Sequence, residues 1–282
     1  MLSRSNPGPQ GPLAHELAFG AFFALTSARL ILAEGPTGAL SLWFLGLLAA
    51  CAAVSRLDSW RLRLSFYAVI VQGVFYWIRP AVEVLHPLRT DAALERFDLR
   101  LFGFNPNLAL EALSRPLLSD VLSACYLLAF LPYIAFAFVA YYRGDLRTFK
   151  RFCAGLFTVY ALGFLGYTLW PAVGPYAAMA NRFRGPIVGG ALTAWHHALV
   201  VGGTNGIDAF PSLHCALTAF VLFFDRTSAP RRFRLMFAPV ALLWIATVYL
   251  RYHYVVDAAA GFVIAAAGLA AGLAAARATS RR

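Results

Sequence analysis

The chain has 282 residues, of which 60% are hydrophobic and only 13% are charged. Soluble domains carry about 25% charged residues, so this composition excludes an ordinary soluble protein. The formal net charge of +11 would suggest nucleic-acid binding in a soluble protein. We predict no nucleic-acid partner here, because basic residues also fix the orientation of membrane proteins.

Apolar stretches long enough to cross a bilayer recur along the whole chain. A hydrocarbon core of about 30 Å takes about 20 apolar residues as helix. The pattern predicts eight spans, at about 14–33, 37–55, 62–79, 119–142, 151–170, 210–225, 235–251 and 253–276. No polar segment is long enough for a separate soluble domain. We therefore predict one all-α membrane domain over 1–282, a helical bundle of six to eight spans.

Two connections between the predicted spans are long. Residues 80–118 mix charged residues with leucine and phenylalanine and contain Pro106 and Pro116. This pattern predicts one or two helices lying in the membrane interface. Residues 171–209 form a Gly/Pro-rich connection. In the last span, Gly268 and Gly272 indicate either close helix packing within the bundle or a dimer contact.

The basic residues predict an orientation for the bundle. If the chain starts in the cytoplasm, the cytoplasmic loops and termini hold 15 of the 24 lysine and arginine residues, although the outer loops are longer. Positive charge concentrates on the cytoplasmic side of membrane proteins. We therefore predict that both termini are cytoplasmic and that residues 171–209 face the outside.

Two short stretches carry polar groups where a membrane protein rarely has them. The first runs from Asp208 to His214 at the start of the sixth span, and the second from Tyr249 to Asp257 between the last two spans. Ionisable residues at membrane depth cost on the order of 3 kcal/mol each and are therefore functional candidates. His253 and Asp257 are four residues apart, so they share one face of a helix. The carboxylate can hold the proton of one imidazole nitrogen and leave the other free as a nucleophile.

These stretches resemble a known enzyme family. Phe210-Pro-Ser-Leu-His214 and His253-Tyr-Val-Val-Asp257 are similar to the two histidine motifs of the type 2 phosphatidic acid phosphatase superfamily, most of all to its inositol phosphorylceramide synthase branch. Pro171-Ala-Val-Gly-Pro175 resembles an outer-loop element of that branch. The resemblance covers roughly residues 90–265 and marks them as a catalytic core. It implies that His253 attacks phosphorus, that Asp257 orients it, and that His214 protonates the leaving oxygen and later deprotonates the acceptor.

The chain also departs from the phosphatase pattern. That branch carries Lys-x6-Arg-Pro, whereas the nearest match here is Gln72 followed by Arg79-Pro80, and the only lysine, Lys150, lies on the predicted cytoplasmic side. The Ser-Arg expected six residues before the nucleophilic histidine is Ala246-Thr247. Both departures favour a phosphotransferase over a simple phosphatase.

The departures leave open which groups bind the phosphate. Arg251 is the first choice, because it lies beside His253, and Arg79, Arg182 and Arg184 are alternatives in outer loops. Ser212 follows a proline as at a helix start, where free N–H groups attract phosphate oxygens. We assign no role to the doublet His196-His197, because the side chains of adjacent residues diverge.

The predicted function is hydrolysis or transfer of a phosphate-linked lipid headgroup through a phosphohistidine, without a cofactor. The predicted substrates are membrane lipids, with an alcohol or a ceramide-like acceptor for transfer. The first alternative is a phosphatase for lipid phosphates or polyprenyl (pyro)phosphates. A lipid transporter or scramblase with a His/Asp proton relay is a rival from another class, but it needs polar residues through the bilayer. A zinc site formed by His214, His253 and Asp257 is a further rival that a chelator would reveal.

Overall fold

The computed structural model describes residues 12–280, with side chains described to residue 275. Within these residues the regular structure is helical, apart from an isolated bridge between Ala172 and Asp208. The predicted all-α bundle is confirmed. The described α-helices are α1 Ala14–Glu34, α2 Ala39–Val54, α3 Trp60–Leu85, α4 Asp91–Phe102, α5 Pro106–Glu111, α6 Pro116–Ala129, α7 Leu131–Arg143, α8 Leu146–Leu169, α9 Pro175–Ala178, α10 Ala191–Gly203, α11 Leu213–Ser228, α12 Pro230–Tyr249 and α13 Val255–Ser280.

Six helical segments in the described part of the chain are long and apolar enough to cross a membrane. They are α1, α3, α6 with α7, α8, α12 and α13. They coincide with six of the eight predicted spans, and the chain is an integral membrane protein. The other two predicted spans, 37–55 and 210–225, correspond to α2 and α11, which have 16 residues each. At 1.5 Å per residue each is about 24 Å long, which is shorter than a typical bilayer core.

The predicted span 119–142 contains a break that the sequence analysis did not predict. Helix α6 ends at Ala129 and α7 begins at Leu131, with Phe130 between them at φ −92° and ψ −107°. Pro132 follows, and a proline lacks the N–H that would continue the helical ladder. The break brings the ring of Phe130 to 4.2 Å from the ring of His214, measured between centroids.

Helix α8 is the centre of the bundle. Within its apolar stretch of 18 residues, 72% is buried inside the protein, whereas the corresponding share is 28–39% in the other five spans. Helix α13 packs closely against it through glycines, because a Cβ atom on Gly268 would lie 2.5 Å from Cγ2 of Val159. A Cβ atom on Gly272 would lie 2.8 Å from the carbonyl oxygen of Arg151. Of the two interpretations of this glycine pair, the structure therefore has close packing within the bundle.

The segments that join the spans at the histidine end are partly helical. Residues 80–118 contain α4 and α5, where one or two helices were predicted. The connection 171–209 contains α10, a helix of 13 residues that the sequence analysis missed. The Asp120 carboxylate on α6 accepts hydrogen bonds from the backbone N–H groups of Gly190 and Thr193, both at 3.0 Å. Helix α10 thus obtains its N-terminal hydrogen bonds from a distant residue, and its own sequence carries no capping signal.

A buried carboxylate, Asp225, joins three helices near the end of the bundle opposite the histidines. Arg232 of α12 donates to both of its oxygens, at 2.5 and 2.6 Å. The hydroxyl groups of Tyr133 and Tyr141 on α7 donate to the same carboxylate at 2.7 and 2.6 Å. A buried charge is tolerated when a counter-ion and hydrogen bonds satisfy it, so α7, α11 and α12 depend on one another here.

We expect the variant Asp225→Asn to destabilise the bundle, because it leaves Arg232 without its counter-ion. Breaking a buried ion pair costs about 3 kcal/mol of unfolding free energy, whereas Tyr133→Phe removes one hydrogen bond worth about 1 kcal/mol. Thermal unfolding of the purified protein in detergent measures both effects. The exposed Asp58 between α2 and α3 provides the control Asp58→Asn, which should leave the midpoint unchanged. Equal midpoints for Asp225→Asn and Asp58→Asn would contradict the expectation.

Candidate active site

The two motif histidines meet although 39 residues separate them in the chain. His214 lies in the first turn of α11, and His253 lies in the loop between α12 and α13. Nδ1 of His214 is 3.0 Å from Nε2 of His253, which is hydrogen-bond distance. Both imidazoles therefore lie next to each other at the N-terminal ends of α11 and α13.

A backbone carbonyl determines which nitrogen of His253 is free. Nδ1 of His253 lies 2.8 Å from the carbonyl oxygen of Ala209. A carbonyl oxygen only accepts hydrogen bonds, so Nδ1 carries the proton and Nε2 keeps a lone pair. The sequence analysis assigned this orienting role to Asp257 alone. It missed Ala209, because a main-chain carbonyl has no signature in a side-chain motif.

Asp257 lies beside His253 as the spacing predicts, but not on a shared helix face. His253 precedes α13, which begins at Val255. One carboxylate oxygen of Asp257 is 3.5 Å from Nδ1 of His253 and accepts a hydrogen bond from the Tyr254 backbone N–H at 2.9 Å. The carboxylate therefore acts on the imidazole mainly by charge. It also accepts the hydrogen bond of a backbone N–H group at the start of α13, which has no partner within the helix.

The loop that carries His253 is held from α4 and α5. The Asn107 side chain donates to the carbonyl oxygens of Val248 and His253, both at 3.0 Å. The Asp98 carboxylate accepts from the N–H groups of Val255 and Val256 at 2.7 and 2.9 Å. Burial raises the pKa of Asp98, although these two hydrogen bonds oppose the shift. Neither residue was a candidate in the sequence, where each is one polar residue in an amphipathic segment.

The element Pro171–Pro175 packs against the same loop. The Asp91 carboxylate accepts from the N–H groups of Val173 and Gly174 at 3.0 and 2.8 Å. Gly174 has φ +95°, and a Cβ atom there would lie 2.4 Å from the Tyr252 carbonyl oxygen. Only glycine fits this close approach. The element Pro171–Pro175 thus supports the loop of His253 from a second side.

Ser212 is buried and caps α11. Its hydroxyl accepts from the Cys215 N–H at 3.3 Å, and its own N–H donates to the Asp257 carbonyl oxygen at 3.0 Å. The predicted helix start is therefore present, and it joins the first histidine motif directly to the second. The Ser212 side chain is engaged in this capping contact.

None of the four candidate arginines makes a described hydrogen bond or ion pair with His214, His253 or Asp257. Arg251 is buried, and its backbone has φ +67°. Its guanidinium donates to the Gly185 carbonyl at 2.7 Å and to Glu111 at 3.1 Å. The same group lies 3.9 Å from the centroid of the Phe183 ring. Burial lowers the pKa of Arg251, and Glu111 opposes the shift. The other three are exposed: Arg79 pairs with Glu83, Arg182 pairs with Glu95, and the backbone N–H of Arg184 donates to Glu111.

A cavity of about 590 Å³ opens beside His214. His253 and Asp257 are not among the residues that line it. Its wall is mostly aliphatic and aromatic and comes from α3, α6, α7, α8, α10 and α11. Among residues 12–280, no three His, Cys, Asp or Glu side chains form a group that could hold a metal ion.

Comparisons with known proteins agree with the motif resemblance. A family model described as the PAP2 superfamily, the type 2 phosphatidic acid phosphatases, matches residues 92–271. The phosphoinositol dihydroceramide synthase of Bacteroides thetaiotaomicron is 26% identical over 233 residues, which cover 74% of this chain and 75% of that relative. No solved structure matches the chain at a significant level. The chain therefore belongs to the PAP2 superfamily and is a membrane enzyme of its lipid phosphatase and phosphotransferase class.

Proposed function

We propose that the protein transfers a phosphate-linked headgroup from one lipid to another through a phosphohistidine on His253. The observation that carries the proposal is the histidine pair, with Nε2 of His253 unprotonated and 3.0 Å from His214. The proposed catalytic residues are His214, His253 and Asp257, in a core over residues 90–265 of a single membrane domain, 1–282. The proposal needs no cofactor.

In the first step, Nε2 of His253 attacks the phosphorus atom of the donor lipid. The N–P bond forms, the bond from phosphorus to the lipid oxygen breaks, and protonated His214 gives its proton to that oxygen. The imidazole of His253 becomes positive, and the Asp257 carboxylate at 3.5 Å stabilises this charge. Because 3.0 Å between the two nitrogens leaves no room for a phosphoryl group, the donor must part the two rings when it binds.

In the second step, His214 removes the proton from an acceptor hydroxyl. The hydroxyl oxygen attacks phosphorus, the N–P bond breaks, and His253 returns to its neutral form. Water as acceptor gives hydrolysis, and a lipid alcohol gives transfer. The similarity to a phosphoinositol dihydroceramide synthase and the missing Lys-x6-Arg-Pro motif both favour transfer of the inositol phosphorylceramide synthase type.

The proposed active site faces the outside, with both termini in the cytoplasm. The charge distribution supports this orientation, because basic residues concentrate in the loops away from the histidine motifs. On α11, His214 lies in the first turn and Arg226 in the last turn. The two residues are about 18 Å apart by helical rise.

Rapid quenching in alkaline detergent after addition of radiolabelled donor lipid tests the covalent step, because an acid quench would hydrolyse a phosphohistidine. We expect an acid-labile, base-stable label in the wild type and none in His253→Ala, because the nucleophile is missing. His214→Ala should accept label slowly and discharge it poorly. Asp257→Asn should keep its fold and react on the order of 100-fold more slowly. Vanadate should inhibit, because it mimics five-coordinate phosphorus.

Two results of this trapping experiment would contradict the mechanism. If no label is trapped and vanadate has no effect, the acceptor attacks the donor lipid directly. If His253→Ala is labelled and His214→Ala is not, the roles of the two histidines are reversed.

Cysteine labelling of intact cells tests the orientation. In a background with the four native cysteines replaced by alanine, Ala191→Cys at the exposed start of α10 should react with a membrane-impermeant maleimide from outside. The matched control Asp58→Cys, between α2 and α3, should react only after permeabilisation. The opposite pattern would mean that the active site faces the cytoplasm.

Substitutions of Arg251 test which cation neutralises the phosphate. For this role the guanidinium has to leave Glu111 and the Gly185 carbonyl and turn to the bound phosphate. Arg251→Ala should then lower turnover on the order of 100-fold, because charge-assisted hydrogen bonds strengthen as charge shifts in the transition state. Arg251→Lys should restore part of the turnover, because lysine keeps the positive charge but cannot form the two parallel hydrogen bonds of a guanidinium. The control Glu111→Gln removes the ion-pair partner and keeps the guanidinium, so its turnover should remain close to that of the wild type.

Two outcomes would reject the role of Arg251. Near-normal turnover in Arg251→Ala would assign the phosphate to Arg79, Arg182 or Arg184. Equal losses in Arg251→Ala and Glu111→Gln would mean that Arg251 only holds the loop.

A further inference from the structure

Two buried polar side chains at the cavity have no hydrogen-bond partner among the described residues. They are Tyr126, through its hydroxyl, and His196, through both ring nitrogens. Both line the cavity beside His214. Buried polar groups are nearly always hydrogen-bonded, and an unsatisfied one costs about 1–3 kcal/mol. The proposed mechanism uses neither residue, so both are free to bind a ligand.

These two side chains lie next to the proposed acid/base. The rings of Tyr126 and His196 are 4.4 Å apart between centroids, and the ring of Tyr126 is 5.0 Å from that of His214. Tyr126 comes from α6, His196 from α10 and His214 from α11. A molecule that reaches His214 through the cavity therefore passes beside the two residues that carry the unpartnered groups.

The rest of the cavity suits a hydrocarbon chain. Val71 and Phe75 of α3 form one side, and Phe130 and Leu131 at the break between α6 and α7 form part of the other. At the rim, Tyr76 is 71% exposed and Leu131 is 57% exposed. Because both belong to membrane-spanning segments, these rim positions face lipid, and a chain can enter sideways from the bilayer.

The polar part of the cavity wall, formed by Tyr126 and His196, suits an uncharged ligand group. Burial lowers the pKa of His196 to about 4, so its imidazole is neutral at pH 7 and offers one donor and one acceptor. The Tyr126 hydroxyl also donates and accepts. No lysine or arginine is among the described residues that line the cavity, so it offers a phosphate no counter-charge. A hydroxyl or amide therefore fits this wall better than a phosphate does.

We propose that this cavity binds the acceptor, a long-chain lipid alcohol with an amide or second hydroxyl beside the reacting hydroxyl, and that Tyr126 and His196 hold that neighbouring polar group. The reacting hydroxyl then faces His214, which removes its proton. This inference rests on the proposed transfer function and adds the acceptor site to it. The alcohol that leaves the donor lipid shares much of this chemistry, so the tests must separate the two.

Steady-state and single-turnover kinetics provide the first test. Tyr126→Phe and His196→Phe should each raise the KM for an N-acyl amino alcohol acceptor about fivefold to tenfold, the value of one or two hydrogen bonds. The rate of His253 phosphorylation by the donor should stay unchanged. Neither substitution breaks a hydrogen bond within the described structure, so both variants should fold. His86→Phe is the matched control, because the His86 side chain makes no described hydrogen bond and does not line the cavity.

Two kinetic results would overturn the proposal. An unchanged acceptor KM in both variants would mean that the two groups bind no acceptor. A slower phosphorylation of His253 that equals the loss in transfer would assign the groups to the donor lipid.

Photo-crosslinking provides a test that needs no turnover. Wild-type protein in nanodiscs without donor receives an N-acyl amino alcohol with a diazirine in its acyl chain. We expect adducts on the cavity residues of α3 and α7, which excess unlabelled N-acyl amino alcohol removes and excess diacylglycerol does not. Adducts elsewhere, or equal competition by diacylglycerol, would overturn the acceptor assignment. Cavity adducts in a protein that forms no trappable phosphohistidine would reject the proposed function but not the binding site in the cavity.

Discussion

The hydrogen bond from Nδ1 of His253 to the Ala209 carbonyl is the contact on which the site depends. It joins the loop before α13 to the strand-like segment before α11, and it selects Nε2 as the free nitrogen. The hydrogen bond from the Ser212 N–H to the Asp257 carbonyl joins the same two parts of the chain a few residues further towards the C-terminus. Because both motifs are bound to each other through main-chain groups, these contacts fix the separation of the two imidazoles.

Carboxylates that are buried or half-buried hold the backbone of this protein in place. Asp91, Asp98 and Asp120 each accept hydrogen bonds from main-chain N–H groups at the histidine end of the bundle. Irregular backbone near a bilayer must satisfy its polar groups within the protein, since lipid offers no partners. These aspartates therefore allow loops and short helices to lie over the candidate active site, whereas Asp225 joins helices at the other end of the bundle.

In the proposed reaction, the polar end and the hydrocarbon chain of the lipid occupy two different environments. His253 and Asp257 are almost fully enclosed by protein, while His214 lies between them and the apolar cavity. A lipid that lies in the bilayer can thus keep its hydrocarbon chain in an apolar surrounding while its polar end reaches the histidines. The break at Phe130 contributes to this arrangement, because a continuous helix would pass the site without offering that ring to His214.

The sequence by itself determined the helical class, the approximate positions of the apolar segments and the identity of the two histidine motifs, whereas the structure showed which six segments reach full length. Hydrophobic periodicity and length are local properties, and the motif His253–Asp257 needs only four residues to bring a carboxylate near an imidazole. Tertiary structure decided the contact between His214 and His253, the Ala209 carbonyl as proton acceptor and the ion pair of Arg251 with Glu111. It also decided the Asn107 and Asp98 anchors, helix α10 and the unpartnered Tyr126 and His196. These features join residues that are 39 to 158 positions apart, or they use main-chain atoms that every residue carries, so no local pattern records them.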